Sequence, residues 1–385
     1  MELEINNSSI IKSNIGDAVI SNNIFNVHKT DYEVPSLFLG QSFGLVDSVN
    51  KHYPELFELY KKLKNQDWDE NEFNFTTCLA EFKTVDPNIA KKMITTLAWQ
   101  WEADTIAART IFAVTAPFLS SDVLNFGLQR IGDSENTHSL TYSEIVRNSF
   151  EDSGAVIDTI LKDQEALKRV SIVTEIFNDT YITGHKLALG MVEKNQETYN
   201  VIFMFFVAMY CLERIQFMNS FTVTFSIAQS GNFVPIGEAV KKIWNDELEI
   251  HAKFARAILS IELKTQRGRV AFSMLKDKIQ LLLDTVVETE LKWVYEHLFA
   301  DGIPLERLTP ELLADNCLYN AAPVYNFFGL KYKKEFPKEN KLSFLDGWIK
   351  IDKSQESAQE LRGGRYFLGG FKNDHKEVDY SYFLK

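Results

Sequence analysis

The first residues that could do chemistry lie in the stretch DSENTHSLTY, residues 133–142. Glu135 and His138 are three residues apart, and Tyr142 follows His138 by four. On a helix, positions i, i+3 and i+4 share one face, so these three side chains would point the same way. A carboxylate beside an imidazole can bind a metal ion, and the phenol would lie one turn beyond it. A lone Glu-x-x-His is frequent by chance, so it predicts a metal site only together with further ligands.

Three other apolar segments also carry acids. Asp104 lies in WQWEADTIAA, Glu213 follows the most apolar run of the chain, VIFMFFVAMYCL, and Glu247 and His251 lie in NDELEIH. Several carboxylates in an apolar core are costly unless a cation neutralises them. Dimetal carboxylate bundles use one acid from each of two helices and a Glu-x-x-His from each of two others. Oxygen ligands with imidazole suit iron or manganese.

Each of these acids also has an ordinary interpretation. Asp104 could be a surface acid, Glu213 could pair with Arg214, and Glu247 could lie on a solvated face. The conjunction is more specific than any single residue, because four helices each supply a ligand at a plausible depth. It favours a dimetal centre with Asp104, Glu135/His138, Glu213 and Glu247/His251 as ligands.

The second Glu–His pair departs from the usual pattern by one residue. His251 follows Glu247 at i+4, and the i+3 position is Ile250, which cannot bind a metal. Both spacings keep the histidine on the face of Glu247, but they approach it from opposite sides. A one-residue π-bulge would absorb the extra residue, and such bulges are frequent at functional sites. We therefore predict that His251 is a ligand reached through a bulge; the alternatives are a water in its place or a site that binds one metal well.

The elements that must position these residues are helices. Asp86 and Pro87 open a predicted helix that runs to about Ala116, with the aspartate as N-cap and the proline at the first helical position. Further helices are predicted over about 121–150, 155–193, 199–229, 235–264, 269–300 and 309–329. Their apolar residues cover more than one face, which is typical of helices buried in a bundle. The fold is predicted to be all-α.

The composition argues against several classes of protein, namely nucleic-acid-binding, membrane and secreted proteins. The chain has 385 residues, is 45% hydrophobic and carries a net charge of −12. Without a Lys/Arg-rich block it is not expected to bind nucleic acid. Its longest apolar run is shorter than the roughly 20 residues that span a bilayer, and its N-terminus lacks a secretory signal. Three scattered cysteines without a C-x-x-C are typical of a reducing compartment. We expect a cytoplasmic protein that does not contact a membrane.

Taken together, the sequence resembles the small (beta) subunit of class I ribonucleotide reductase, in the ferritin-like dimetal carboxylate family. The resemblance runs from about Ser36 to the C-terminus. It is carried by SLFLGQSFGLVD, the DW at 67–68, SENTHSLTYSEIVRN, LERIQFMNSF, IWNDE and YFLGG. It implies a ferritin-like four-helix bundle core with additional helices, in a homodimer that works with a large (alpha) subunit to reduce ribonucleotides to deoxyribonucleotides. It also implies two iron ions per chain, although dimanganese or a mixed pair would suit the same ligands.

The resemblance gives Tyr142 a role. In this family the dimetal centre reacts with O2 and oxidises a nearby tyrosine to a stable radical, and Tyr142 stands at the matching position. Phe217, Phe221 and Ile243 match the apolar pocket around that radical, although ordinary core packing would place them similarly. Taken alone, Tyr142 would more simply be a buried tyrosine bonded to a carboxylate.

Other residues match the path by which the radical reaches the large subunit. The resemblance implies that Trp68 and Asp246 form an internal relay, that Tyr366 carries the transfer in the tail, and that Glu360 and Glu72 are associated with it. The nucleotide and the redox-active cysteines would belong to the large subunit. This chain accordingly has no cysteine cluster and no Gly-rich phosphate loop.

The chain is predicted to have three segments. Residues 1–30 form a flexible N-terminal segment, 31–352 the ferritin-like domain, and 353–385 a flexible tail that docks to the large subunit. One alternative is a dimetal-carboxylate oxidase or oxygenase with its own small substrate, which would need neither Tyr366 nor a partner. Another is a helical scaffold that has lost its metals, which a measurement of metal content would distinguish.

Overall fold

The computed structural model describes residues 10–15, 18–23, 35–46 and 52–349. Near the N-terminus two strands, β1 (Ile10–Ile15) and β2 (Ala18–Asn23), pair antiparallel, with Ile10 opposite Asn23. The other named elements are helices. The predicted all-α class is therefore confirmed for the body of the protein, and the strand pair is an addition that the sequence pattern did not predict.

The described part of the chain contains thirteen α-helices. They are α1 (Pro54–Asn65), α2 (Cys78–Thr84), α3 (Pro87–Thr110), α4 (Asp122–Ser149), α5 (Ser153–Ile160), α6 (Gln164–Ala188), α7 (Gln196–Cys211), α8 (Phe217–Gln229), α9 (Val234–Asp246), α10 (Ala252–Glu262), α11 (Gln266–Lys292), α12 (Pro310–Phe328) and α13 (Leu345–Ile349). Three π-helical turns extend or join them. The first (Leu212–Gln216) joins α7 to α8, the second (Glu247–His251) joins α9 to α10, and the third (Trp293–Leu298) follows α11.

Four helical segments form the core bundle. Helix α3 packs against α4 and α8, and α9 packs against the same two helices, which closes the four into a ring. The joined pairs α7–α8 and α9–α10 thus each act as one long bundle helix. Helix α1 covers α4 and α10 from outside, and α6, α11 and α12 pack around α7 and α8. This arrangement is the ferritin-like core with additional helices that the sequence predicted.

Local signals explain where several helices begin and end. The Asp86 carboxylate accepts a hydrogen bond from the Asn88 backbone N–H, as predicted for the N-cap of α3. That helix ends at Thr110, short of the predicted Ala116, and the chain continues through turns to a short 3₁₀ segment, Ala116–Phe118, which contains Pro117. The predicted stretch 155–193 resolves into α5 and α6, and a new N-cap at Asp163 starts the second of them.

The most apolar helix lies inside the bundle. The continuous helix Gln196–Gln229 is long and apolar enough to cross a membrane by composition, but 89% of its most apolar window is buried within the protein. It packs against α3, α6, α9, α10, α11 and α12. Its apolarity is therefore explained by its central position in the core of a soluble protein.

The compact unit that the structure describes ends at Ile349. The predicted tail, 353–385, lies outside the described residues, as do Glu360 and Tyr366. Of the predicted flexible segment 1–30, the structure describes only β1 and β2. The predicted flexibility of the two ends therefore stays a prediction.

Candidate metal centre

The six predicted ligands meet inside the core bundle. Each of their side chains is fully buried. Their ligand atoms form two overlapping groups, and within each group all atoms lie within 4.8 Å of one another: Asp104, Glu135, His138 and Glu247 in the first, and Glu135, Glu213, Glu247 and His251 in the second. Glu135 and Glu247 belong to both groups. The two groups therefore share two carboxylates, an arrangement that could hold two cations side by side.

Helix α4 supplies the histidine of the first group. The Nδ1 atom of His138 lies 2.8 Å from Glu247 Oε1 and 3.4 Å from Glu135 Oε2. Its Nε2 atom faces away, 3.2 Å from Asp246 Oδ2. A carboxylate on the outer nitrogen fixes the ring orientation and makes the inner nitrogen a better donor to a metal.

The second π-turn supplies the histidine of the second group. The π-helical turn spans Glu247–His251, so the bulge predicted between these two residues is confirmed. It carries His251 Nδ1 to 3.0 Å from Glu135 Oε1 and 2.7 Å from Glu247 Oε2. Ile250, at the usual ligand spacing, packs in the apolar core instead. The outer nitrogen of His251 has no hydrogen-bond partner among the described residues.

The first π-turn, which the sequence pattern did not predict, carries Glu213. Neither carboxylate oxygen of Glu213 has a hydrogen-bond partner in the described part of the chain. The alternative pairing with Arg214 does not occur, since the Arg214 guanidinium donates to the side-chain oxygen of Asn320. Both acids of the second half of the bundle therefore lie on π-turns, a type of turn that recurs at functional sites.

The electrostatics of the cluster are set by four carboxylates that are buried away from solvent. Burial and the neighbouring carboxylates raise the pKa of Asp104 and of Glu213 well above the usual range. Burial opposes the charged form of His251, but Glu247 and Glu135 together outweigh it and raise the pKa of His251 to about 10. The pKa of His138 is raised in the same way, and the two imidazoles lower the pKa of Glu247 despite its burial. The cluster thus favours bound positive charge.

The donor set fits metal ions. Both carboxylate oxygens of Asp104, Glu135 and Glu213 are buried without a hydrogen-bond partner among the described residues. Such orphaned oxygens are rare in native proteins and call for a cation or another donor. Four carboxylates and two imidazoles suit a pair of iron or manganese ions, whereas the absence of thiolate from the cluster argues against a structural zinc site.

Tyr142 lies one turn beyond His138 on α4 and is almost fully buried. Its hydroxyl has no hydrogen-bond partner in the described residues. Burial and the nearby Asp104 carboxylate raise the pKa of the phenol well above its usual value. Phe217, Phe221 and Ile243 are fully buried, and the first two rings stack at a centroid distance of 5.4 Å. The phenol is therefore buried and neutral.

A chain of contacts leads from His138 towards the surface. Trp68 Nε1 donates to Asp246 Oδ2 at 2.7 Å, and the same oxygen faces His138 Nε2. The Trp68 and His138 rings are nearly parallel, with centroids 5.7 Å apart. The predicted relay residues Trp68 and Asp246 are therefore adjacent to each other and to a candidate ligand.

The sequence analysis did not predict two residues that belong to this series of contacts. Gln66 Nε2 donates to Asp246 Oδ1 at 2.5 Å, and Ser134 Oγ lies 3.4 Å from Asp246 Oδ2 and 3.3 Å from His138 Nε2. The spacing of Ser134, four residues before His138, places it on the same face of α4 and could have identified it. Gln66 offers no such signal, because it follows the end of α1.

Glu72 lies outside the cluster. It is exposed in a short 3₁₀ turn, where its carboxylate accepts from the Asp69 backbone N–H at 3.1 Å and pairs with Lys242 Nζ at 2.9 Å. These contacts tie the turn that precedes Phe73 to α9. They give Glu72 a structural role, and its association with radical transfer stays a prediction.

Comparisons with known proteins agree with this site. A family model described as "Ribonucleotide reductase, small chain" matches residues 46–341. The ribonucleoside-diphosphate reductase subunit beta of Haemophilus influenzae is 22% identical, with 90% of this chain and 94% of the relative covered. The corresponding subunit of Enterobacteria phage T4 is also 22% identical, covering 91% and 96%.

Solved structures show the same fold. The ribonucleotide reductase R2 subunit from Clostridium botulinum superposes with a TM-score of 0.73 at 18% identity, covering 89% of this chain and all of that one. The dimanganese(II)-NrdF of Streptococcus sanguinis gives a TM-score of 0.63 at 14% identity, over 79% of this chain. These matches do not favour an oxidase or oxygenase acting alone. The chain belongs to the ribonucleotide reductase small-chain family, the oxidoreductase beta subunits of class I ribonucleotide reductase, which work with a large subunit.

Proposed function

We propose that this subunit generates and stores a radical at Tyr142 and delivers it to the large subunit for ribonucleotide reduction. The observation that carries the proposal is the juxtaposition of three features in one bundle. A buried six-ligand cluster lies beside a buried phenol, and a hydrogen-bonded tryptophan leads from the cluster towards the surface. Storage needs the first two features, and delivery needs the third.

The cluster is proposed to hold two iron ions, and the side chains that would hold them are Asp104, Glu135, His138, Glu213, Glu247 and His251. When bound, the metal pair supplies with O2 the oxidising equivalent that takes one electron from the phenol. Dimanganese or a mixed pair would use the same ligands, and the Streptococcus sanguinis relative is titled a dimanganese(II) protein.

The residues around Tyr142 control its proton and its lifetime. Asp104 is the carboxylate that acts most strongly on the phenol, so it is the proposed acceptor of the proton that leaves when the ring is oxidised. The family resemblance places Phe217 and Phe221 around the phenol, and their rings are fully buried and offer no hydrogen-bond donor or acceptor. A radical enclosed in this way is protected from reduction by solutes.

The relay couples electron and proton movement. Oxidation of Trp68 makes its indole N–H acidic, and Asp246 Oδ2 already accepts that hydrogen bond. The proton can therefore move to Asp246 as the electron leaves, and return when the tryptophan is reduced again. Asp246 in turn contacts His138 Nε2, which links the relay to the metal cluster through one side chain.

Spectroscopy of the Tyr142→Phe variant tests radical storage. The full-length apoprotein is supplied with ferrous iron and O2, and electron paramagnetic resonance is recorded. We expect a tyrosyl signal in the wild type, none from the variant, two bound metals in both, and almost no reductase activity in the variant. Tyr199→Phe is the matched control, since Tyr199 is a buried tyrosine that donates to Glu262 away from the cluster. A normal signal in Tyr142→Phe would assign the radical elsewhere.

We further propose that the subunit is a cytoplasmic homodimer and that its tail, 353–385, docks to the large subunit. The proposed transfer residue Tyr366 lies between two pairs of glycines in the sequence, Gly363–Gly364 and Gly369–Gly370. Glu360 and Glu72 are proposed to assist the radical transfer. Ordering such a segment costs entropy, which aromatic contacts with the partner must offset.

Deletion of the residues after Gly370 should abolish binding to the large subunit and leave the radical intact, whereas Tyr366→Phe should leave binding intact and stop turnover. Full turnover by the truncated chain at low partner concentration would refute docking through the tail.

A further inference from the structure

A cleft with a volume of about 530 Å³ lies beside the metal cluster, on the solvent-facing side of the first two π-turns. Arg214, which follows Glu213, and Leu248, which follows Glu247, both line it. Its other walls come from α7, α10 and α12 and include Tyr210, Lys253, Arg256 and Phe327. The volume lies within the range of small-molecule sites, about 300–1,000 Å³.

Two arginines in this cleft form no ion pair with any residue that the structure describes. Arg214 is partly buried, and its guanidinium donates to the side-chain oxygen of Asn320, a neutral acceptor. Arg256 lies over the ring of Phe327, with its Cζ atom 5.5 Å from the ring centroid. A guanidinium keeps its charge at every physiological pH, and a partly desolvated charge without an anion is costly. Neither guanidinium therefore has an anionic partner among the described residues.

Among the described residues that line the cleft, the one carboxylate is already paired. Glu249 Oε2 lies 2.5 Å from Lys253 Nζ and 3.3 Å from Lys62 Nζ. The cleft is consequently positive in a protein whose net charge is −12. Such a local reversal of sign concentrates anions from solution.

We propose that the cleft binds a small organic anion, with its carboxylate or phosphate head on Arg214 and Arg256 and its apolar body against Tyr210, Leu248 and Phe327. The planar fork of a guanidinium matches the oxygens of either head group. The aromatic and aliphatic walls give the body a surface that a free inorganic ion would not use. This site is separate from the metal ligands and does not depend on the proposed radical chemistry.

The test is a ligand-observed NMR titration of the full-length, metal-loaded chain with benzoate, phenyl phosphate, benzamide and inorganic phosphate. The first two probes differ in head group, the third lacks the charge, and the fourth lacks the apolar body. We expect at least one aromatic anion to bind about tenfold more tightly than benzamide and inorganic phosphate. Arg214→Gln and Arg256→Gln should each weaken that binding by about tenfold or more. Arg109→Gln, at an exposed position of α3 outside the cleft, should leave it unchanged.

Several results would overturn the proposal: no saturable binding of any probe, equal binding of benzamide and benzoate, or equal loss in the cleft variants and in Arg109→Gln. Circular dichroism and thermal unfolding establish that each variant is folded. If Arg214→Gln does not fold, the exposed Arg256→Gln variant decides the question. Because binding is measured directly, a chain that forms no radical would still give a clear answer.

Discussion

The two histidines of the metal cluster are held in different ways. His138 lies on a regular stretch of α4, and its outer nitrogen faces Asp246. His251 lies on a π-turn, and its outer nitrogen has no hydrogen-bond partner among the described residues. The inner nitrogens of both rings face the same two bridging carboxylates, Glu135 and Glu247. The inner nitrogens of the two histidines thus have similar contacts, whereas their outer nitrogens have different surroundings.

This difference suggests that the two halves of the cluster have different functions. The partner of His138 also accepts from Trp68, so the first half of the cluster is connected to the relay and rigidly oriented. The second half is positioned by the π-turn and by the contacts of His251 Nδ1 with Glu247 and Glu135, and neither oxygen of Glu213 has a hydrogen-bond partner among the described residues. We expect the His138 half to govern radical transfer and the His251 half to be the more weakly held metal position.

The largest expected effect comes from His251→Ala. The inner nitrogen of His251 faces the shared carboxylates Glu247 and Glu135, and its outer nitrogen has no hydrogen-bond partner among the described residues. Its removal should therefore lower metal content from two towards one per chain and prevent radical formation. Metal analysis and electron paramagnetic resonance on the same sample measure both effects. Relay contacts at Trp68 should persist, because they involve only the other half. Two tightly bound metals with a normal radical would show that His251 is merely a buried core histidine.

How far the sequence predicts this site depends on the type of signal. The spacing between Glu247 and His251 revealed one residue more than the usual Glu-x-x-His, and a π-bulge is one compact way to absorb it, which the structure contains. The first π-turn left no such trace, because Glu213 has no second ligand on its helix to show an altered spacing. A helical irregularity is visible in the sequence only when two residues with known relative positions flank it.

The same reasoning applies to the fold. Long apolar helices with strong caps, such as α3 after Asp86, follow from local chemistry. The short helices α1 and α2 were not predicted, because a few apolar positions do not establish a helical period. Gln66 was missed for a related reason: its contact with Asp246 joins residues far apart in the chain, and only tertiary packing brings them together.

Asp246→Asn should have the next largest effect. The substitution preserves shape but removes the negative charge that orients His138 and accepts the indole proton. We expect turnover with the large subunit to fall about a hundredfold and metal affinity in the His138 half to fall about tenfold. Steady-state assays and metal titration measure these quantities. Glu249→Gln, an acid on the neighbouring π-turn that is paired with lysines, is a control expected to change neither. Unchanged turnover in Asp246→Asn would remove Asp246 from the relay.

The pH dependence of metal binding should show a smaller, graded effect. In the metal-free protein the pKa of His251 is raised to about 10, above the roughly 6.5 of an unfolded chain. Its protonated form therefore stabilises the metal-free fold below about pH 6.5, and this contribution is lost as the pH rises towards about 10. Metal binding requires the neutral imidazole and should strengthen over the same window.

Thermal unfolding measures the competition between protonation of His251 and metal binding. The difference in Tm between the metal-loaded and metal-free protein should widen from about pH 6.5 to about pH 9.5. In His251→Ala the change should be shallower, because one of the two raised imidazoles is gone. A difference that stays constant with pH would mean that metal binding displaces no proton from the cluster.

The smallest expected effect is that of Ser134→Ala. The Ser134 hydroxyl lies 3.4 Å from Asp246 Oδ2, which is long for an O–H···O hydrogen bond, whereas Trp68 and Gln66 approach the same carboxylate at 2.7 Å and 2.5 Å. A weak contact to a carboxylate that has two stronger donors contributes at most about 1 kcal/mol, a few-fold in turnover. Combining Ser134→Ala with Asp246→Asn should add nothing further, because the hydroxyl acts through that carboxylate. If Ser134→Ala alone lowers turnover as far as Asp246→Asn does, the hydroxyl rather than the carboxylate holds His138, and the asymmetry between the two histidines has a different origin.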